Sequence, residues 1–135
     1  MLRVSSRFII IEDNCIYAFF RRKKTENNTI NEYYTIPGGG VEENETIEEA
    51  VFREASEEFG IKVNILKYFG NSTNDLGIAH FFLCEIKEGT PILGGEELDK
   101  HCEDNFYEIV KLPIKDLNNY NLIYREAISK FLYNR

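Results

Sequence analysis

Short apolar or alternating stretches recur along the chain between residues that favour turns, and this pattern predicts β-strands. Gly, Pro, Asn and Asp provide most of the separating turns. The predicted strands are residues 7–11, 15–20, 32–36, 62–69, 78–86 and 106–112. The first two flank a turn-rich patch, so we expect them to form a β-hairpin.

Two other segments place apolar residues at helical spacing. The first lies between Thr46 and Gly60, and the second runs from Leu122 to the end of the chain. The order of strands, helix, strands and helix predicts an α/β (α+β) fold with a mixed β-sheet between helices. At 135 residues, we expect one domain over residues 1–135.

The ends of the first helix can be placed from local chemistry. Thr46 and Glu49 have the spacing of a capping box, in which each side chain satisfies a backbone N–H of the first turn. Gly60 can adopt the left-handed conformation that often ends a helix. The sequence therefore predicts a helix from about Thr46 to Gly60.

This helix carries an unusual excess of negative charge. Residues 41–59 include eight glutamates, one arginine and no lysine. On a helical wheel, Glu54 and Glu58 fall inside the apolar sector and Glu57 lies at its edge. Carboxylates about 4 Å apart near a protein surface repel by roughly 4 kcal/mol. A solvated acidic face is the common alternative, but the position inside the apolar sector favours binding of a divalent cation.

Three consecutive glycines, Gly38, Gly39 and Gly40, precede the helix. Without Cβ atoms, they allow the backbone to approach a ligand closely, although such a triplet can also be a plain turn. A carbonyl of this segment could join the carboxylates as an oxygen ligand for a hard cation. The segment lacks the Gly-Lys-Ser/Thr ending of a P-loop, which excludes that kind of phosphate site.

The glycines and the acidic helix together resemble the Nudix box of MutT-like hydrolases. All seven fixed residues of the box are present at its spacing: Gly39, Glu45, Arg53, Glu54, Glu57, Glu58 and Gly60. Ala55 departs mildly, because a bulkier aliphatic residue is usual there. The resemblance implies a Nudix-type α/β/α sandwich. It also implies a hydrolase that cleaves the diphosphate linkage of a nucleoside diphosphate derivative.

The resemblance also implies a role for each box residue. It makes Glu57, Glu58 and the Gly38 carbonyl ligands for Mg²⁺, with Mn²⁺ as a possible substitute. Glu54 is implied to be a further ligand or the general base. Arg53 and Glu45 are expected to orient the carboxylates. A later loop is expected to supply one more acidic metal ligand, for which Glu103 is the first candidate and Glu97 and Asp104 are the alternatives.

Substrate contacts are expected at two places. Arg21 and Arg22 could bind phosphate, because arginine suits bidentate contacts, but a solvated strand end is the alternative. Gly39 and Gly40 are expected to lie against the substrate. A nucleoside triphosphate and a nucleotide sugar both remain open as substrates. The competing function is a Nudix-like domain that senses a nucleotide without cleaving it.

Overall composition limits the partners. The net charge of −7 disfavours nucleic acid polymers, whose binding rests on phosphate neutralisation by Lys and Arg. No apolar run approaches the ~20 residues of a membrane span. Three cysteines without a close pair fit reduced thiols and a cytoplasmic protein. We therefore expect a small nucleotide partner and no membrane, and the resemblance leaves a homodimer possible.

Overall fold

The computed structural model describes residues 3–94 and 104–135. The strands are Arg3–Glu12 (β1), Cys15–Lys24 (β2), Ile30–Thr35 (β3), Gly38–Gly40 (β4), Lys62–Asn74 (β5), Gly77–Glu88 (β6) and Asn105–Pro113 (β7). The helices are Ile47–Phe59 (α1), a short 3-10 helix Ile114–Asn119 and Arg125–Tyr133 (α2). None of the helices in the described ranges has the length and apolar character that a membrane crossing requires.

The strands form one mixed sheet in the order β3-β2-β1-β6-β5. β1 runs parallel to β6, and the other pairs are antiparallel. The predicted hairpin of β1 and β2 is confirmed, but the two strands pair only near the turn, at Ile11–Ile16 and Glu12–Cys15. Beyond the turn, β1 and β2 separate. The next segment of the chain pairs with both of them: β3 pairs with β2, and β4 pairs with β1.

A hydrophobic core lies on each face of the sheet, as alternation along the strands requires. On β1, Phe8 and Ile10 belong to the core beneath α1, whereas Ile9 belongs to the core beneath α2. Each helix contributes its apolar stripe to its own core, including Phe59 from α1 and Ile128 from α2. The predicted α/β/α sandwich with a mixed sheet is confirmed.

Helix α1 has the caps that its sequence predicts. The Thr46 hydroxyl accepts a hydrogen bond from the Glu49 amide at 3.0 Å, and Glu49 Oε1 accepts one from the Thr46 amide at 2.9 Å. Gly60 ends the helix with φ of 65°. Where α1 packs on the sheet, the hydroxyl of buried Ser6 on β1 donates a hydrogen bond to the Ile47 carbonyl at 2.7 Å. The start of α1 is thereby fixed to the sheet.

The last turn of α1 is fixed by an aromatic cluster. The Phe59 ring is fully buried and makes edge contacts with Phe8 at 5.6 Å and Phe19 at 5.0 Å between ring centroids. Such pairs contribute about 0.5–1.5 kcal/mol each beyond their buried area. Because Glu57 and Glu58 directly precede this ring, the cluster also sets where their carboxylates lie.

Two local features differ from the sequence prediction. The glycine triplet was expected to be a turn or ligand loop, but it forms strand β4, paired antiparallel with β1. The C-terminal helix begins at Arg125 and not at Leu122. Residues 121–123 instead exchange backbone hydrogen bonds with Tyr34 of β3, and this pairing is incompatible with helical geometry there.

The capping box generates a stability prediction. Thr46→Ala removes the acceptor for the Glu49 amide, so we expect the free energy of unfolding in urea to fall by about 1 kcal/mol. Thr46→Ser keeps the hydroxyl and should stay close to wild type. If the alanine variant were as stable as the serine variant, the cap would contribute nothing.

Candidate active site

Three glutamates at the end of α1 converge on one place. Glu54, Glu57 and Glu58 each offer a carboxylate oxygen, and these oxygens lie within 4.8 Å of one another. Glu54 and Glu58 are 8% and 4% exposed, whereas Glu57 is exposed. This is the arrangement that their helical spacing indicated. Three like charges held this closely would repel strongly unless a positive charge lay among them.

Arg53 supplies part of that positive charge and is held by Glu45. Its Nε and Nη2 donate to the two oxygens of Glu45 at 2.7 and 3.0 Å, which is a bidentate pair. Nη2 also donates to the Gly40 carbonyl at 2.8 Å. The pair lowers the pKa of Glu45 and raises that of Arg53, chiefly through the hydrogen bond between them. Glu45 thus fixes the guanidinium against the glycine strand.

The remaining nitrogen of Arg53 faces three further carboxylates. Nη1 donates to Glu54 Oε1 at 2.9 Å and Glu57 Oε2 at 3.3 Å, and it lies 3.6 Å from Glu42 Oε1. With Glu45, four carboxylates therefore share one guanidinium. The predicted orienting role of Arg53 and Glu45 fits this network, whereas no spacing in the sequence indicated Glu42.

Glu58 takes no part in that network. Its Oε2 atom is buried and has no hydrogen-bond partner among the described residues. Leaving a buried acceptor without a partner is costly, and more so for a charged group. A cation would satisfy this oxygen together with those of Glu54 and Glu57. Carboxylate and carbonyl oxygens are the ligands that Mg²⁺ and other hard divalent cations prefer, so the residues present fit such an ion.

Two glycines make room for the carboxylates. A Cβ atom at Gly39 would overlap the carboxylate of Glu54, so only glycine lets Glu54 lie against β4. Gly38 has φ of 143°, and a Cβ there would overlap the Ser6 carbonyl on β1. Gly40 is less constrained, because its nearest such contacts are with Arg3 at 3.7 Å. The first two glycines are therefore required by close approach.

Arg7 is a site residue that sequence reasoning missed. From β1, its Nη1 donates to the carbonyls of Ile36 at 3.2 Å and Gly38 at 3.3 Å. The Gly38 carbonyl is the predicted metal ligand, and its second lone pair leaves capacity for a further partner. The feature that identifies Arg7 as a site residue is its position directly opposite Gly38 in the pairing of β1 with β4. That register is a long-range property that periodicity does not give.

These residues line a cleft of about 890 Å³. The cleft includes the three carboxylates, strand β4 and, from β2, the side chain of Arg21. Arg22 is not among the lining residues; its guanidinium lies 4.9 Å from the centre of the Phe106 ring. The prediction that both arginines contact substrate therefore fits only Arg21, because neighbouring side chains on a strand point to opposite faces.

The predicted acidic ligand from a later loop is not placed. Glu103 and its alternative Glu97 lie outside the described residues. Asp104, the other alternative, is exposed and is not part of the carboxylate cluster. Its backbone carbonyl accepts a hydrogen bond from the Lys24 amide at 2.9 Å. Within the described ranges, the cluster thus consists of carboxylates from α1 alone.

Comparison with known families agrees with this geometry. A model of the NUDIX domain matches residues 2–128, nearly the whole chain. The chain belongs to the Nudix family. The match includes α1, the glycine strand and the cleft, so the resemblance found from seven residues of the box extends over the rest of the fold.

Individual relatives are more distant. Over 86 residues the chain is 35% identical to the NAD-capped RNA hydrolase NudC of Salmonella agona (strain SL483), covering 62% of this chain and 32% of that protein. A MutT NUDIX hydrolase from Burkholderia pseudomallei has a similar fold, with a TM-score of 0.66, 21% identity and 85% of both chains covered. An ADP-ribose pyrophosphatase from Streptococcus suis 89-1591 gives a TM-score of 0.60 and 16% identity, with 86% of this chain and 77% of that chain covered.

The glycine strand offers a matched pair of variants. Gly39→Ala should push the Glu54 carboxylate out of place and weaken Mn²⁺ binding by at least about tenfold, the range typical of changes next to metal ligands. Gly40→Ala adds a methyl group of the same size where there is space, so its Mn²⁺ affinity should stay near wild type. Electron paramagnetic resonance of free Mn²⁺ measures both. Equal affinities in the two variants would contradict this packing.

The Arg53–Glu45 pair predicts a pH dependence of stability. The hydrogen bond from Arg53 lowers the pKa of Glu45 in the folded state. The ionised Glu45 therefore adds to the free energy of unfolding above its pKa in the unfolded chain, and this contribution is lost as pH falls through its lower pKa in the folded state. We expect wild type to exceed Glu45→Gln in urea stability at neutral pH. The difference should begin to shrink as pH falls below about 4 and should disappear once the pH is below the lowered pKa of Glu45 in the folded state. Glu43→Gln, at an exposed neighbouring position, should show little difference at either pH.

Proposed function

We propose that the protein hydrolyses the diphosphate linkage of a nucleoside diphosphate derivative and depends on Mg²⁺, for which Mn²⁺ can substitute. The observation that carries this proposal is the convergence of Glu54, Glu57 and Glu58 within 4.8 Å, in a cleft beside the glycine strand. The buried oxygen of Glu58, which lacks a partner among the described residues, supports a cation at this place. A nucleotide without a cation would be repelled by the same carboxylates.

The proposed ligands are Glu57, Glu58 and the Gly38 carbonyl. All are oxygen donors, and Phe59 and β1 hold them on rigid elements of the fold. When bound, Mg²⁺ lowers the pKa of a coordinated water and offsets the charge of phosphate oxygens. Gly39 and Gly40 line the cleft beside these ligands, where their small size lets a diphosphate approach the backbone.

Glu54 is either a further metal ligand or the general base. As base, a carboxylate oxygen of Glu54 takes a proton from the attacking water while the water oxygen forms a bond to phosphorus and a P–O bond of the diphosphate breaks. The hydrogen bond from Arg53 to Glu54 Oε1 holds the carboxylate in place for either role. Arg53 itself stays bound to Glu45 and the Gly40 carbonyl.

The nucleotide part of the proposal is supported by the relatives. The names NAD-capped RNA hydrolase and ADP-ribose pyrophosphatase each denote hydrolysis of a nucleotide derivative. Because the chain covers about a third of the first and shares only the fold with the second, neither substrate is transferred to this protein. The net charge of −7 favours a small nucleotide that a cation can bridge to the carboxylates over a nucleic acid polymer.

A product-release screen tests this function. Nucleoside triphosphates, dinucleoside polyphosphates, nucleotide sugars and ADP-ribose are assayed with Mg²⁺, with Mn²⁺ and with EDTA. We expect turnover of at least one class with either ion and none with EDTA. Glu54→Gln and Glu58→Gln should each lower kcat by about 10²–10⁴-fold, the range for loss of a general base or an equivalent group.

Glu48→Gln is the matched control, because Glu48 is on the same helix but exposed and outside the carboxylate cluster. It should keep wild-type kcat. Binding of nucleotides without any product, with either ion, would contradict catalysis and favour a nucleotide-sensing domain. Full activity of both cluster variants would contradict the proposed site.

A further inference from the structure

Two of the proposed metal ligands, Glu57 and Glu58, lie in the last turn of α1. Helix ends fray, because their last carbonyls have no partner inside the helix. The amide of Gly60 turns back to the Ser56 carbonyl at 3.1 Å, but the carbonyls that follow Ser56 are left without a partner in the helix. The last turn therefore needs donors from another part of the chain if both carboxylates are to stay in one place.

The segment that follows β6 supplies two such donors. The amide of Ile92 donates to the Phe59 carbonyl at 3.0 Å. Two residues later, the amide of Gly94 donates to the Glu58 carbonyl at 2.9 Å. An N–H group at this end of a helix also offsets the negative pole of the helix dipole, which nearby carboxylates would otherwise only reinforce. We call residues 91–94 the strap.

The strap lies directly against the backbone of α1. A Cβ atom at Gly94 would lie 2.7 Å from the Glu57 carbonyl oxygen, which is too close, and a backbone oxygen cannot move aside without moving the helix. Only glycine therefore fits at this position. Next to it, Leu93 packs its side chain against the core beneath α1, which includes Phe59. One apolar contact and two hydrogen bonds thus hold the strap on the end of the helix.

We propose that Gly94 is a positioning residue of the metal centre. Through the strap it holds the last turn of α1, so that the carboxylates of Glu57 and Glu58 stay directed at one cation. The proposal rests on the proposed function, since it assumes that a cation binds there. Repulsion among the carboxylates favours a frayed turn in which they separate into water. The hydrogen bonds of the strap oppose that movement, because they bind the carbonyls of the same turn.

Gly94→Ala tests this role, with Mn²⁺ alone as the probe. The added methyl group should displace the strap and weaken Mn²⁺ binding by roughly tenfold, the lower end of the range for changes in groups that support metal ligands. Electron paramagnetic resonance measures the free ion and also the line shape of the bound ion, which should change. Ile92→Ala keeps the amide and removes only an exposed side chain, so its Mn²⁺ affinity and line shape should match wild type.

Two further variants separate positioning from general stability. Leu93→Ala removes the apolar contact of the strap without adding bulk, so it should weaken Mn²⁺ binding even if Gly94→Ala does not fold. Thr46→Ala destabilises the same helix from its other end and should leave Mn²⁺ affinity unchanged. Hydrogen exchange in the metal-free protein locates the effect: the amides of residues 57–59 should exchange faster in both strap variants than in Thr46→Ala.

Three results would overturn the role of the strap. These are Mn²⁺ affinity in the strap variants equal to that of wild type, an equal loss of affinity in Thr46→Ala, and no binding of Mn²⁺ by wild type. The function is tested separately: a protein whose Mn²⁺ binding depends on Gly94 but that cleaves no nucleotide in the screen keeps the strap and loses only the proposed activity.

Discussion

Repulsion between carboxylates at the end of α1 is the constraint on which the rest of the site depends. Glu54 and Glu58 are buried on a face that also packs against the sheet, so water screens their charge much less than it screens that of exposed carboxylates. Arg53 offsets part of it by bonding Glu54 and Glu57 while Glu45 holds the guanidinium from the other side. The buried oxygen of Glu58 lies outside that network. The fold thus offsets only part of the repulsion within the cluster. A divalent cation beside Glu58 would offset the rest and would give its buried oxygen a partner.

Rigid elements hold this charge at the wall of the cleft. Phe59 fixes the end of α1 against β1 and β2, and the capping box with Ser6 fixes its start. The glycine segment is a strand with hydrogen-bonded register, not a mobile loop. Its lack of side chains lets Glu54 lie directly against the backbone. Pre-organisation of this kind means that little ordering is left for the moment when a ligand binds.

Local chemistry determined the parts of the protein that depend on residues close in sequence. Thr46, Glu49 and Gly60 set the ends of α1 because caps act within one turn. The convergence of Glu54, Glu57 and Glu58 follows from the helical repeat, and the seven box residues identified the family. The order of strands and helices along the chain predicted the mixed sheet between helices. Expectations for Mg²⁺, for Glu103 and for the substrate came from the resemblance, and they stay predictions.

Tertiary structure decided everything that depends on pairing between distant segments. The opening of β1 and β2 beyond their turn made the glycine triplet a strand, and its register placed Arg7 on the Gly38 carbonyl. Strand pairing also stacked Arg21 on Tyr107 and kept Arg22 out of the cleft. The sequence by itself determined the helix, its charge and the family. The register of paired strands, and the point at which two strands separate, depend on many contacts between residues far apart in sequence. A local sequence pattern does not determine them.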